Sequence, residues 1–178
     1  MGPEPTSTLK EDFGSPGRVR IARQDPIGKV GFMQNLPDLY QAVILDHNRN
    51  PRNHRVLEGA TAVARGENPS CGDQYEVSLK LEAGQIREIC FQGSGCAISR
   101  ASASILTTEL EGQSIENATQ KIRAFNTLIE TGEAADSVSV SMAAFTGIHK
   151  FPARRKCAKL AWGAAMKALK GKSESSGS

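Results

Sequence analysis

The sequence predicts an α+β fold: a small antiparallel sheet of about three strands, with helices packed on one face. Three observations carry this expectation. Apart from one leading helix, period-two alternation is confined to the stretch before Gly93. Helical spacing takes over after Gly95. A glycine turn, Ala83-Gly84-Gln85, joins the two clearest strands into a hairpin. Strands first and helices after them is the order of an antiparallel sheet covered on one side.

The elements follow in order. Residues 1–34 carry Pro3, Pro5, Pro16 and Pro26 among glycines and show little periodicity. They read as a flexible extension, with Met33 as an alternative first residue. The folded unit is expected over residues 35–170, and a Ser/Gly-rich, disordered tail over 171–178. Leu36, Leu39, Tyr40, Val43, Ile44 and His47 recur three and four apart, so a helix is expected there, with Pro37 in its first turn. Asn48 to Pro51 stop it. Thr61 to Arg65 read as a strand. Tyr75, Val77, Leu79 and Leu81 alternate with polar residues as a half-buried second strand, and Ile86 to Phe91 form the third. A helix follows Gly93-Ser94-Gly95, with Ile98, Ala101, Ile105 and Leu106 on one face. The small residues Ala101-Ser102-Ala103-Ser104 would let it pack closely. Ser114 caps the next helix, which carries Ile115, Ala118, Ile122, Phe125 and Ile129. Thr131 to Ser137 is a loop. The last helix starts near Pro152, with Cys157, Leu160, Ala161, Ala164, Ala165 and Ala168 along its apolar stripe.

Composition removes several functional classes. Aromatics are only 5% of the residues and hydrophobic residues 39%, so the core must be mostly aliphatic. No apolar run approaches the roughly 20 residues needed to cross a bilayer. An apolar leader is also missing, so a cytoplasmic protein with no membrane partner is expected. The net charge of +3 is small and the basic residues are dispersed, which argues against nucleic acid.

The four cysteines are Cys71, Cys90, Cys96 and Cys157. In a reducing compartment they point to metal or sulfur chemistry rather than disulfides. Cys71 lies in the turn Asn68-Pro69-Ser70-Cys71-Gly72-Asp73. Cys96 opens a helix, and Cys157 sits in the first two turns of another. Free amides and the helix dipole at such starts favour the thiolate, and Arg154-Arg155-Lys156 would add positive potential at Cys157. Gly72 would let the chain curl so that Cys71 and Asp73 face one point. Three thiolates and a carboxylate suit a tetrahedral zinc, with the carboxylate the most exchangeable ligand. Spacing alone leaves two readings open: a shared site, or a Cys157 that is simply buried on its apolar stripe. Cys90 lies within a strand and reads as structural. Among the histidines, His47 and His54 read as structural, and His149 is a weak candidate ligand.

At these residues the sequence resembles the NifU/IscU/SufU group of iron–sulfur cluster assembly proteins. The resemblance runs from about Leu36 to Leu169. It rests on Leu39-Tyr40 with Asp46-His47-Asn48-Arg49-Asn50-Pro51-Arg52-Asn53, on Asn68 to Asp73, on Gly93 to Ser99, and on Cys157-Ala158-Lys159-Leu160-Ala161-Trp162. Three features are similar to the SufU-like branch. Lys156 stands where Isc-type scaffolds have histidine, the stretch between Cys96 and Cys157 is longer, and a proline-valine-lysine docking motif is missing.

The resemblance implies zinc held by Cys71, Asp73, Cys96 and Cys157, with iron or a [2Fe–2S] cluster as the other occupant. It implies a SufS-type cysteine desulfurase as partner and apo iron–sulfur proteins or other Suf assembly proteins downstream. Cys71 would be the sulfur acceptor, and Arg154 would guide docking or a ligand swap. If the protein is an enzyme, it is a sulfurtransferase. The alternatives are a scaffold that assembles and transfers a [2Fe–2S] cluster, and a purely structural zinc domain.

Overall fold

A computed structural model of the chain describes residues 29–175, with side chains described from 37 to 171. Most of the expected N-terminal extension and the last three residues of the expected tail lie outside the described residues. The element order is α1 (Lys29–Arg49), β1 (Ala62–Asn68), β2 (Asp73–Glu82), β3 (Gln85–Ser94), α2 (Ala97–Leu110), α3 (Ile115–Thr131), α4 (Val140–Ala143), a 3₁₀ turn (Thr146–Lys150) and α5 (Pro152–Ser175). The expected architecture is present: one three-stranded antiparallel sheet in the order β1-β2-β3, with helices against it.

Alternation in β2 decides which face is covered. Asp73, Tyr75, Val77 and Leu79 are buried, and the residues between them are not. α5 packs against β1 and β2, and α2 packs against β3. The β2–β3 turn is made by Ala83 and Gly84, both at positive φ (49° and 75°), as a tight hairpin requires. Ser114 caps α3 by accepting a hydrogen bond from the Asn117 amide, and Gly132 ends it in the left-handed conformation.

The run of small residues in α2 is buried throughout and polar where needed. Ser102 Oγ donates to the Ala158 carbonyl (2.6 Å) and accepts from the Trp162 indole N–H (2.9 Å). Trp162 in turn stacks on Phe125, ring centroids 4.0 Å apart. These contacts fix α5, and Cys157 with it, against α2.

Two details differ from expectation. α1 already begins at Lys29, so Pro37 lies inside it rather than in its first turn. Leu39 is 52% exposed and leaves the apolar face to Tyr40, Val43 and Ile44. The expected loop after α3 is present, and beyond it lie two short elements for which the sequence reading made no assignment. Met142, Phe145 and Ile148 anchor α4 and the 3₁₀ turn to the core, with Phe145 edge-on to Phe125.

His47 ends up buried. Its Nδ1 lies 2.7 Å from Ser104 Oγ, which also accepts the Arg52 amide at 2.8 Å. Burial, with Arg52 nearby, holds the imidazole below its ordinary pKa, against a smaller opposing pull from Asp46. A depressed folded-state pKa means that the contribution is complete above the unfolded value and is lost as pH falls through the folded one. Urea unfolding from pH 7 down to pH 5 should therefore show stability falling with pH. The fall should be shallower in His47→Gln than in the parent chain.

Candidate metal centre

The register of the first two strands builds the first half of the site. Asn68 pairs with Asp73, so residues 69–72 form a tight turn that carries Cys71. Cys71 and Gly72 amides both donate to the Asn68 carbonyl, at 3.1 and 2.9 Å. Gly72 has φ +71°, the curl expected of a glycine there. Asp73 begins β2 on its covered face and is fully buried. Cys71 is exposed above it.

The second half comes from Gly93-Ser94-Gly95-Cys96. Gly93 sits at φ +129°, and a side chain there would collide with the Gln74 carbonyl of the neighbouring strand. A Cβ at Gly95 would collide with Ser99 Oγ and stand 2.8 Å from Asp73 Oδ1 and 2.9 Å from Tyr75 Oη. Both glycines therefore let the backbone close over Asp73. Cys96 is the N-cap of α2. Its sulfur accepts from the Ser99 amide (3.4 Å), while its own amide donates to Asp73 Oδ1 (2.8 Å).

Cys157 completes the convergence. Its Sγ lies 3.3 Å from Cys71 Sγ and accepts a hydrogen bond from Asn68 Nδ2 at 3.4 Å. One ligand atom each from Cys71, Asp73 and Cys157 lie within 4.8 Å of one another. Cys96 Sγ is 3.9 Å from Asp73 Oδ2 but falls outside that group of three, drawn aside by its capping bond to Ser99. Sulfurs bound to one tetrahedral zinc at about 2.3 Å would sit roughly 3.7 Å apart, so the cluster is near that size.

Electrostatics argue for a cation at this point. A fully buried carboxylate normally has a charged partner, yet the partners of Asp73 are an amide and thiols. The Cys157 thiol is pushed far up, first by burial, then by hydrogen bonds to Asp73 and Cys71, with Cys96 adding to the effect. This corrects the expectation that the helix start and the basic run activate Cys157. The cysteine lies more than one turn into α5, past the free amides. Two of the basic side chains also have other partners: Arg155 pairs with Glu130 at 2.9 Å, and Arg154, on the edge of the site, lies over the Phe151 ring, 4.7 Å from its centroid. The donor set of sulfurs and one oxygen fits zinc, which would supply the missing charge.

The site is open on one side. A cavity of about 450 Å³ reaches Cys71, Cys96 and Cys157, with Arg154 and the apolar Ile98 and Ala153 on its rim. The remaining candidates lie elsewhere. Cys90 is fully buried in β3, where burial pushes its thiol up. His54 stacks on Phe91. His149 has its Nδ1 2.6 Å from the Thr146 carbonyl and packs against Gly132. Sequence reasoning missed the donor role of Asn68 and the position of Tyr75 behind Asp73. The first had a signal in its place next to the ligand loop. The second is masked by an ordinary strand alternation.

Comparison with known proteins finds clear similarities. The model of the NifU-like N-terminal domain matches residues 39–170. A Bacillus subtilis (strain 168) protein named zinc-dependent sulfurtransferase SufU is 40% identical over 141 residues, covering 79% of this chain and 95% of that one. The iron–sulfur cluster assembly scaffold protein IscU of Streptococcus pyogenes serotype M1 is 37% identical over 139 residues, covering 78% of this chain and 87% of that one. A crystal structure from thermophilic Fervidobacterium islandicum AW-1, described as a candidate assembly scaffold for the SUF system, aligns with a TM-score of 0.68 at 28% identity. The alignment covers 71% of this chain and 93% of that one.

Metal analysis of purified variants checks the cluster. Cys71→Ser, Cys157→Ser, Cys96→Ser and Asp73→Ala should fall from about one equivalent of zinc to almost none, while Cys90→Ser keeps its metal. Gly95→Ala, which displaces Asp73 without removing a donor, should weaken zinc binding by about 10- to 100-fold.

Proposed function

Because the chain belongs to the NifU-like N-terminal domain family, we propose that it serves iron–sulfur cluster assembly as a zinc-dependent sulfur acceptor. Its partner would be a cysteine desulfurase of the SufS type, with apo iron–sulfur proteins or other Suf assembly proteins receiving the sulfur. The observation that carries this reading is the buried Asp73 carboxylate converging with Cys71 and Cys157 beneath an open cavity. The relative named zinc-dependent sulfurtransferase supports the choice of metal and activity.

Cys71, Asp73, Cys96 and Cys157 would hold the zinc. When bound, zinc supplies the positive charge that keeps the thiols deprotonated and shields them from oxidation. Cys71 is the natural acceptor. It is exposed on a short turn and can swing outward without unwinding a helix, whereas Cys157 is buried in α5 and Cys96 caps α2. The Cys71 thiolate attacks the terminal sulfur of the desulfurase persulfide. A bond forms between Cys71 Sγ and that sulfur as the donor's S–S bond breaks. The donor cysteine departs as a thiolate, and the moved sulfur keeps its proton, so no outside oxidant or reductant is needed. Arg154 on the cavity rim would attract the partner's anionic groups and guide docking.

A second reading has its own support. Relatives named as scaffolds suggest that the same residues hold a [2Fe–2S] cluster and release it to apo-proteins. The two readings separate experimentally. On the sulfur-acceptor reading, the zinc protein should raise desulfurase turnover and carry one extra sulfur by intact mass. Cys71→Ser should abolish both effects. Arg154→Ala should raise the KM for the acceptor about tenfold with little loss in kcat. A reconstituted protein that passes a cluster to an apo-ferredoxin, with no stimulation of the desulfurase, would favour the scaffold.

A further inference from the structure

Beside Asp73, Gly95 brings together residues that the sulfur-transfer reading does not use. Tyr75 shares the covered face of β2 with Asp73, two residues away, and is 2% exposed. Its hydroxyl has no hydrogen-bond partner among the described residues. Leaving a buried hydroxyl unpaired is unfavourable, so such a group calls for a physical explanation. Tyr75 Oη and Asp73 Oδ1 both stand within 3 Å of the point where a Gly95 side chain would begin. Ser99 Oγ also borders that point, but it is already engaged with the Cys96 carbonyl at 3.0 Å. Ser99 and Arg100 lie close enough to ease the burial of the phenol, but neither makes a well-formed hydrogen bond to it, which leaves the hydroxyl available beside the carboxylate. Arg100 Nε, next along α2, is the other buried polar atom without a partner among the described residues.

We propose that Tyr75 is a positioning residue whose hydroxyl receives the Asp73 carboxylate when it leaves the metal, stabilising the open-coordination state. The inference rests on the zinc reading above. In the arrangement described, Asp73 faces the thiols and the phenol waits unpaired. When the carboxylate turns away, Oδ1 accepts the Tyr75 hydroxyl. One coordination bond is exchanged for one hydrogen bond and no proton is transferred. Asp73 Oδ1 and Tyr75 Oη can stand this close to the position 95 backbone because that residue is glycine.

The consequence is specific to the metal equilibrium. A hydrogen bond made only with Asp73 off the metal favours release, so removing it tightens zinc binding. In the full chain, Tyr75→Phe should bind zinc about 3- to 10-fold tighter. It should release zinc to a chelator correspondingly more slowly. Thermal unfolding should show the zinc-free form destabilised and the zinc-loaded form unchanged. In the desulfurase assay kcat should fall while the KM for the acceptor holds. In an Asp73→Ala background, which holds almost no zinc, Tyr75→Phe should leave thermal unfolding of the metal-free form unchanged. Equal destabilisation of both forms with normal zinc release would mean that the hydroxyl only packs or meets a water, and would overturn the proposal. Were Asp73→Ala itself to keep zinc and accept sulfur normally, the zinc reading and this inference would fall together. A dead Asp73→Ala beside a Tyr75→Phe indistinguishable from the parent would remove this inference alone.

Discussion

The burial of one carboxylate organises this molecule. Asp73 is sealed under the sheet's covering helices with an amide and thiols as its neighbours and no cation among them. A charge so placed calls for a positive partner. The surrounding structure gathers donors around that point. The Asn68–Asp73 register folds Cys71 over the carboxylate, and the glycines at 93 and 95 let the next loop close on it. The Ser102–Trp162 contact holds α5 so that Cys157 reaches the same point. Residues from three separate stretches of chain thus meet at a position that none of them could stabilise alone.

Much of this was legible in the sequence, because the signals were local and strong. Alternation through Tyr75, Val77 and Leu79 marked β2, Ser114 marked the start of α3, and Gly72 marked the curl beside Cys71. The four proposed ligands sit on loops and helix starts, where chemistry-bearing residues stand out from packing. What stayed hidden depends on tertiary contacts. α4 and the 3₁₀ turn are too short to show a period and persist because Met142, Phe145 and Ile148 enter the core. The acidity of Cys157 was misjudged because sequence proximity to Arg154 and Arg155 says nothing about where their side chains point. One lies over Phe151 and the other pairs with Glu130. Tyr75 looked like any inward strand residue, since only the fold shows that its hydroxyl is left unpaired.

The balance between a held and a released carboxylate links structure to activity. An all-thiolate site would be tight and closed, suited to holding a fold together. Replacing one sulfur by an oxygen donor, with a cavity beside the cysteines, would give the proposed site a way to open to an incoming sulfur. Family resemblance explains why the donors are present. On the inference drawn above, the packing beside them, with a glycine at 95 and a phenol next to it, would set how readily one of them lets go.

The most direct test is zinc K-edge X-ray absorption on the purified full chain. This account predicts a first shell of three sulfurs and one oxygen, with the oxygen lost in Asp73→Ala. A four-sulfur shell that draws in Cys90, or a shell of nitrogen and oxygen with no sulfur, would contradict it.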